Sequence, residues 1–434
     1  MPKGIRNLQI SVGESHLTHF GGIFLIHWFC KKLRLNRMLQ SYVKFRQRNN
    51  QYTVSELILS LVYTIIIGLG RINNTRILKY NGSFQDIVGL KSFPSSTALR
   101  RFLFRLMPKT LCQIVGVHNS YRLKLIQYPC KPTGVILDFD STVLTVYGKQ
   151  EKAVISYNPH KRGRPSYQPL LCFEAHTQDC LHGKLRSGAK PSGEEEQFFI
   201  QECLGKLPQG IYRIKVRGDS GFYNHKVVEL LDAKKVGYAV VAKITAPIRS
   251  SLPDLNYHEF RYGWEAAEFS YQPHGWKEPH RFIAIRRPIP EEPSAQLTLF
   301  ELKKHAYQVI VTNLSLSPES VYRFYIGRCA AELNIKELKE NFSLIKIPSR
   351  AFLANEVYFH LILFAYNIMN WFKRLCLPMQ FRHFTLQTIR TEFLMLPAKL
   401  VKTDNKNLLR LPKGYVYDWV LNYAIKKIRA MRLP

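Results

Sequence analysis

The 434-residue sequence has no cysteines at C-x-x-C spacing and no H-E-x-x-H among its 14 histidines. Its 8 cysteines, at 30, 112, 130, 172, 180, 203, 329 and 376, follow no regular interval. That excludes a zinc module of the usual spacing and a disulfide framework, and the thiols are expected to be reduced and mostly in the core. The opening MPKGIRNLQI lacks the charged head and apolar run of a secretory signal. Long hydrophobic runs are scarce too. Leu57 to Leu69 is too short to span a bilayer, and Leu353 to Trp371 carries Glu356, His360, Asn367 and Asn370, so both are expected as buried helices of a protein with no membrane span. Acidic residues are few: 31 Asp plus Glu stand against 63 Lys plus Arg, a formal charge of +32. There is no internal repeat and no low-complexity segment, and a hydrophobic content of 46% excludes a disordered chain.

Such an excess of cations is the footprint of a protein that neutralises many phosphates. Ribosomal or membrane-surface binding would produce the same sign, but 23 Tyr, 26 Phe and 5 Trp are many for a ribosomal protein. DNA or RNA processing in the cytoplasm is the expectation, and the length suggests two or three domains.

The stretch Gly134 to Thr142, GVILDFDST, organises the rest. Val135, Ile136, Leu137 and Phe139 read as a strand covered on both faces, interrupted by Asp138 and Asp140. At period 2 the two carboxylates share a face, and an unpaired buried carboxylate costs several kcal/mol, so a cation is expected opposite. The bland alternative is a strand-end Asp that caps a turn.

Residues 1–130 read as helical, with a capping box at Thr53 and Glu56. Pro94 to Thr97 leads into a helix bearing Arg100, Arg101 and Arg105, either the second helix of a helix-turn-helix or a solvated basic face. After the Asp-bearing strand comes a polar, basic segment, Gly148 to Pro165, ending HKRGRP with Lys161, Arg162 and Arg164. Strands are expected near 167–177 and 181–187, then a helix capped by Ser192 and Glu195, a strand at 211–220 ending in Asp219, a helix at 226–235 and a strand at 238–243. Three antiparallel strands, a helix and a fourth strand is the order of a ribonuclease-H-like α/β core. That core is assigned to 131–244 and 313–376, interrupted by a β-rich insertion without helix at 245–312. A basic C-terminal segment, 377–434, is expected to hold a short hairpin and a final helix.

One helix is predicted from Pro318 to about 341. On it Tyr325, Arg328, Glu332 and Lys339 sit at i, i+3, i+7 and i+14, within an arc of about 60° at ~100° per residue. At these residues the sequence resembles the DDE transposases of bacterial insertion sequences, in the class with a β-strand insertion between the second Asp and the Glu. Tyr-x-x-Arg-x-x-x-Glu-x-x-x-x-x-x-Lys matches the class signature, Asp140-Ser141-Thr142 its first catalytic motif, and Arg217 to Phe222, RGDSGF, its second. The runs at 137–142, 148–150, 157–171 and 397–412 are similar to one branch of that class.

The resemblance implies a cut-and-paste transposase acting on double-stranded DNA, as a homodimer on the terminal inverted repeats and target, in the cytoplasm at the nucleoid. Asp140, Asp219 and Glu332 would be the catalytic carboxylates and metal ligands, with Tyr325, Arg328 and Lys339 contacting phosphates near the cleaved end. Three carboxylates without His or Cys suit Mg²⁺, with Mn²⁺ as substitute, and two such ions about 4 Å apart can activate one oxygen and stabilise another. Excision in this class often passes through a DNA hairpin. Trp264 or Trp276 could then stack on a flipped base, or either could be a sheet-packing aromatic. Two other functions remain open: a metal-dependent nuclease of the same fold, and a catalytically silent DNA-binding repressor.

Overall fold

The computed structural model describes residues 11, 13, 15–46, 51–128, 131–159, 161–188, 193–289, 305–403 and 406–432. Ser192, expected to cap a helix, Cys130 and His160 of the HKRGRP segment lie outside them. The chain is mixed α/β and divides into two compact units, 1–117 with 340–348 and 353–434, and 118–339 with 349–352.

The first unit is mainly helical. Helix Val54–Ile66 opens on the capping box that its sequence signals: Thr53 accepts from the Glu56 N–H, and the Thr53 N–H donates to Glu56 Oε2 (2.7 Å). Its side chains are buried almost all round, as an apolar helix with no polar stripe requires. Helix Phe352–Cys376 is long and apolar enough to cross a membrane, yet 89% of its most apolar window is buried, as in a core helix. Phe372 on it packs edge-on against Phe29 of helix Ile23–Lys32. This long helix therefore shares a unit with the N-terminal helices, whereas the sequence grouped it with the catalytic core. The tail forms the expected hairpin, Ala398–Thr403 with Lys406–Arg410, and ends in helix Asp418–Ala430.

Helix Ser96–Arg105 is capped by Ser95, which accepts from the Ala98 N–H (3.1 Å). Leu99, Phe102 and Leu103 are buried, leaving Arg100, Arg101 and Arg105 exposed. The α-helix before it, Phe84–Ile87, is a single turn separated from it by residues 88–95. A helix-turn-helix needs two helices joined by a tight turn, so that expectation reduces to an exposed basic helix.

The second unit is built on nine strands: β1 (Gly134–Ser141), β2 (Leu170–Glu174), β3 (Cys180–Lys184), β4 (Arg213–Gly218), β5 (Gly237–Val241), β6 (His258–Arg261), β7 (Trp264–Tyr271), β8 (His280–Pro288) and β9 (His305–Thr312). They form one sheet in the order β6-β7-β8-β9-β5-β4-β1-β2-β3. β1 pairs antiparallel with β2 and parallel with β4, and β4 pairs parallel with β5. Among the described residues of 245–312, β9 pairs with β5, so these strands continue the same sheet as β1 to β5. The stretch also opens on a short helix, Ala246–Ser251, where none was expected.

Period 2 sorts β1 as the sequence requires. Val135, Leu137 and Phe139 enter an apolar core with Phe199 of helix Glu194–Gly205 and Val227, Val228 and Leu231 of helix His225–Ala233. Asp138 and Asp140 alternate with these residues and so leave the other face. A second core, around Ala239, Ile310, Val321 and Tyr325, seats helix Pro318–Ile326.

Candidate active site

The expected single helix from Pro318 is two helices, Pro318–Ile326 and Cys329–Glu340, separated by Gly327 and Arg328. Arg217 explains the break. It faces Asp138 directly across the β1–β4 pairing and holds it with two bonds, Nε to Oδ1 (2.5 Å) and Nη2 to Oδ2 (2.8 Å). Its remaining Nη1 donates to the carbonyl of Phe324, near the end of the first helix (2.9 Å). A Cβ on Gly327 would collide with that same nitrogen, so the absent side chain is the gap through which the guanidinium reaches the helix end. The chain continues in a tightened turn, Arg328 N–H to Tyr325 O and Ala331 N–H to Arg328 O. Arg217 is thus the cation expected opposite Asp138. Burial still pushes the Asp138 carboxyl upward, with Arg217 opposing it.

Asp140 stands one pleat closer to the strand end. Its Oδ1 accepts from the Ser141 N–H (2.8 Å), and its Oδ2 accepts from Nη1 of Arg328 (2.8 Å). The Arg328 guanidinium also donates through Nη2 to Glu332 Oε1 (2.5 Å) and through Nε to the Tyr325 hydroxyl (3.2 Å). Arg328 and Asp140 are buried, whereas the Glu332 side chain is 55% exposed. Burial, with Asp219 and Glu332 nearby, pushes Asp140 up to about 6 against the pull of Arg328. For Arg328, burial works downward, but Tyr325, Asp140 and Asp219 outweigh it, and the net shift is upward.

Asp219 follows β4 and caps the turn Ser220–Phe222, its Oδ1 accepting from the Gly221 N–H (3.0 Å). Burial raises it, Arg328 lowers it and Glu332 raises it, so the field of one guanidinium reaches all three predicted carboxylates. Lys339, a half-buried residue on the second helix, is lowered by burial and raised by Asp140. Across the break in the helix, the Arg328 guanidinium still joins Tyr325 to Glu332. Glu337, on the same helix, is partly buried.

Three carboxylates with no nitrogen or sulfur ligand among them are the donor set of a hard divalent ion. Their arrangement differs from a formed metal site. Among the described residues no three His, Cys, Asp or Glu side chains are grouped closely enough to hold an ion, and the cation that bridges Asp140 and Glu332 is Arg328.

A cavity of about 460 Å³ is lined by Ser141, Tyr157, Gln168, Arg186, Gly221 and Phe222, among others. Arg186 is buried against Glu196 (2.6 Å), and Glu196 accepts from the Gly193 N–H, so Glu196, not Glu195, makes the helix-start contact. Lys161, Arg162 and Arg164 are exposed on the loop that leads into the short strand Pro165–Tyr167, with Arg164 over the Tyr147 ring. Arg100 and Arg101 belong to the other unit. Trp264 packs against Tyr322 and lies under Arg287, and Trp276, in the turn between β7 and β8, packs against Tyr223 and His280; both rings stay partly exposed.

Sequence reasoning named Arg217 only as part of the RGDSGF motif, without a role, and did not single out Gly327, Arg186 or Glu196. The signal for Arg217 was available, since it lies two residues before Asp219 and so at the same strand parity.

The piggyBac transposase synaptic complex with hairpin DNA is similar in structure at 10% identity and a TM-score of 0.42, over 83% of this chain and 78% of that one. The Mos1 transposase paired-end complex with left transposon end is similar at 10% identity and a TM-score of 0.19, over 45% of this chain and 60% of that one. No curated protein sequence matches. The Transposase DDE domain group 1 family matches residues 2–433, and the chain belongs to that family.

Proposed function

We propose that the chain is a cut-and-paste transposase of the insertion-sequence class with the Tyr-Arg-Glu-Lys signature, cleaving DNA at the ends of its element and joining them to a target. The observation that carries this reading is the Arg328 guanidinium paired with both Asp140, at the end of β1, and Glu332, on the second helix, with Asp219 following β4, the strand paired to β1. The inner strand order β3-β2-β1-β4-β5, antiparallel for the first three and parallel for the rest, supports a ribonuclease-H-like core.

Bound by these carboxylates, Mg²⁺, or Mn²⁺ in its place, would supply activation of the attacking oxygen and stabilisation of the leaving oxygen. The chain's own residues do the rest. Asp140 and Asp219 are held by backbone N–H groups at the ends of rigid strands, so their oxygens are oriented before substrate arrives. Tyr325, Arg328 and Lys339 present a hydroxyl and two cations toward the phosphates beside the scissile bond. Lys161, Arg162 and Arg164 would contact the duplex through its backbone, Arg100 and Arg101 are the candidate phosphate contacts of the other unit taken by itself, and a homodimer would bring two ends together.

The test uses the purified chain with duplexes carrying the element's terminal repeats, in Mg²⁺ and in chelator. Cleavage at the repeat ends with joining of 3′-OH ends to a target plasmid, lost in chelator, is the expected result. Cleavage without joining would make the chain a nuclease, and binding without cleavage a repressor.

A further inference from the structure

We propose that Arg328 is an exchangeable cation: in the metal-free protein its guanidinium fills the place between Asp140 and Glu332, and on loading with a divalent ion it leaves the carboxylates and takes a DNA phosphate. This rests on the reading of Asp140, Asp219 and Glu332 as metal ligands.

Three features of the contact set Arg328 apart from an ordinary structural arginine. Its two carboxylate partners come from different elements, β1 and the helix Cys329–Glu340, and both are residues that would hold the ion. Glu332 is more than half exposed, so that end of the bridge opens to solvent without disturbing the core. Arg328 itself sits in the two-residue break between the helices, outside the backbone of either. Its Nε contact to Tyr325 supplies a pivot, since the hydroxyl lies three residues back on the preceding helix.

Charge balance gives the exchange a direction. Asp140, Asp219 and Glu332 carry three potential negative charges, and Arg328 offsets part of that repulsion when no metal is bound. A divalent ion replaces it with twice the charge, and a guanidinium driven off by like-charge repulsion finds its best new partner in a phosphate, which it can bind in bidentate fashion. A residue that blocks the metal and then binds the substrate links the two events, so the fully active arrangement assembles only when both are present.

The exchange lowers apparent metal affinity by the fraction of molecules in which Arg328 has left the carboxylates. Mn²⁺ binding to the full chain without DNA, followed by electron paramagnetic resonance, reads this directly. Arg328→Ala should bind Mn²⁺ about tenfold tighter or more than the wild type, while its cleavage of terminal-repeat DNA falls. A purely structural role predicts the opposite sign for binding, so equal or weaker Mn²⁺ affinity in Arg328→Ala overturns the proposal.

A second measurement needs no variant. Arginine modification by phenylglyoxal, mapped by mass spectrometry on the wild type, should spare Arg328 without metal and label it once Mn²⁺ is added. Protection that Mn²⁺ leaves unchanged also overturns the exchange. Asp140→Asn serves as the reference: saturable Mn²⁺ binding that it abolishes keeps the metal-ligand reading standing even where Arg328 does not exchange. No Asp140-dependent binding in either protein removes both.

Discussion

Asp138 and Asp140 leave the same face of one strand and each meets an arginine, yet the two ion pairs are built differently. Arg217 grips Asp138 with two bonds, and its third donor is fixed on a main-chain carbonyl. Arg328 gives Asp140 one bond and shares itself with a half-exposed glutamate and a tyrosine. The first pair is closed on every side and can only hold the structure together. The second is open toward solvent and can trade partners. Two chemically identical carboxylates therefore acquire different uses from what surrounds their cation.

The comparison is broken most severely on its open side. Glu332→Gln should lower metal-dependent cleavage by about three orders of magnitude or more, because a ligand to the reacting centre is lost, while Glu337→Gln should stay within a few-fold. Single-turnover cleavage of a terminal-repeat duplex, with variants matched in thermal stability, measures both. Comparable losses would mean that the helix has been assigned the wrong carboxylate.

The closed side should fail in stability. Arg217→Ala leaves Asp138 buried and uncompensated, an effect of roughly 3–5 kcal/mol in chemical denaturation. Gly327→Ala should destabilise through the same contact, since its methyl group would displace the Arg217 guanidinium from the helix end. A neutral Gly327→Ala would show that the break is not held by Arg217.

The smallest effect lies outside both pairs. Replacing Lys161, Arg162 and Arg164 with Ala should weaken binding to all duplexes alike and reduce the slope of log affinity against log salt by about 0.9 for each phosphate no longer neutralised. Weakening confined to one sequence would mean that the loop reads bases.

What could be read from the chain was whatever is local. The strand parity of Asp138 and Asp140, the Thr53–Glu56 box and the C-terminal hairpin each depend on a few neighbouring residues, and each is present. The interrupted helix was not legible, because its cause is a side chain on β4, 110 residues earlier in the sequence than Gly327. A lone glycine in a helical pattern lowers helix propensity only modestly, and only the guanidinium passing beside it makes the break necessary. The same limit applies to residues 245–312, whose alternation announces strands but not the long-range pairing of β9 with β5 that joins them to the core sheet. Spacing pointed to all four residues of the signature, but Arg328 could be placed between carboxylates only once β1 was brought to it.

The most direct test sets the two aspartates against each other in one experiment: unfolding free energy, and cleavage rate per folded molecule, for Asp138→Asn and Asp140→Asn. The expected result is a crossing. Asp138→Asn should lose more stability yet cleave within about tenfold of the wild type, whereas Asp140→Asn should lose about three orders of magnitude in rate or more, with DNA binding intact. Loss of cleavage in folded Asp138→Asn, with activity retained in Asp140→Asn, would contradict the assignment of the catalytic strand end.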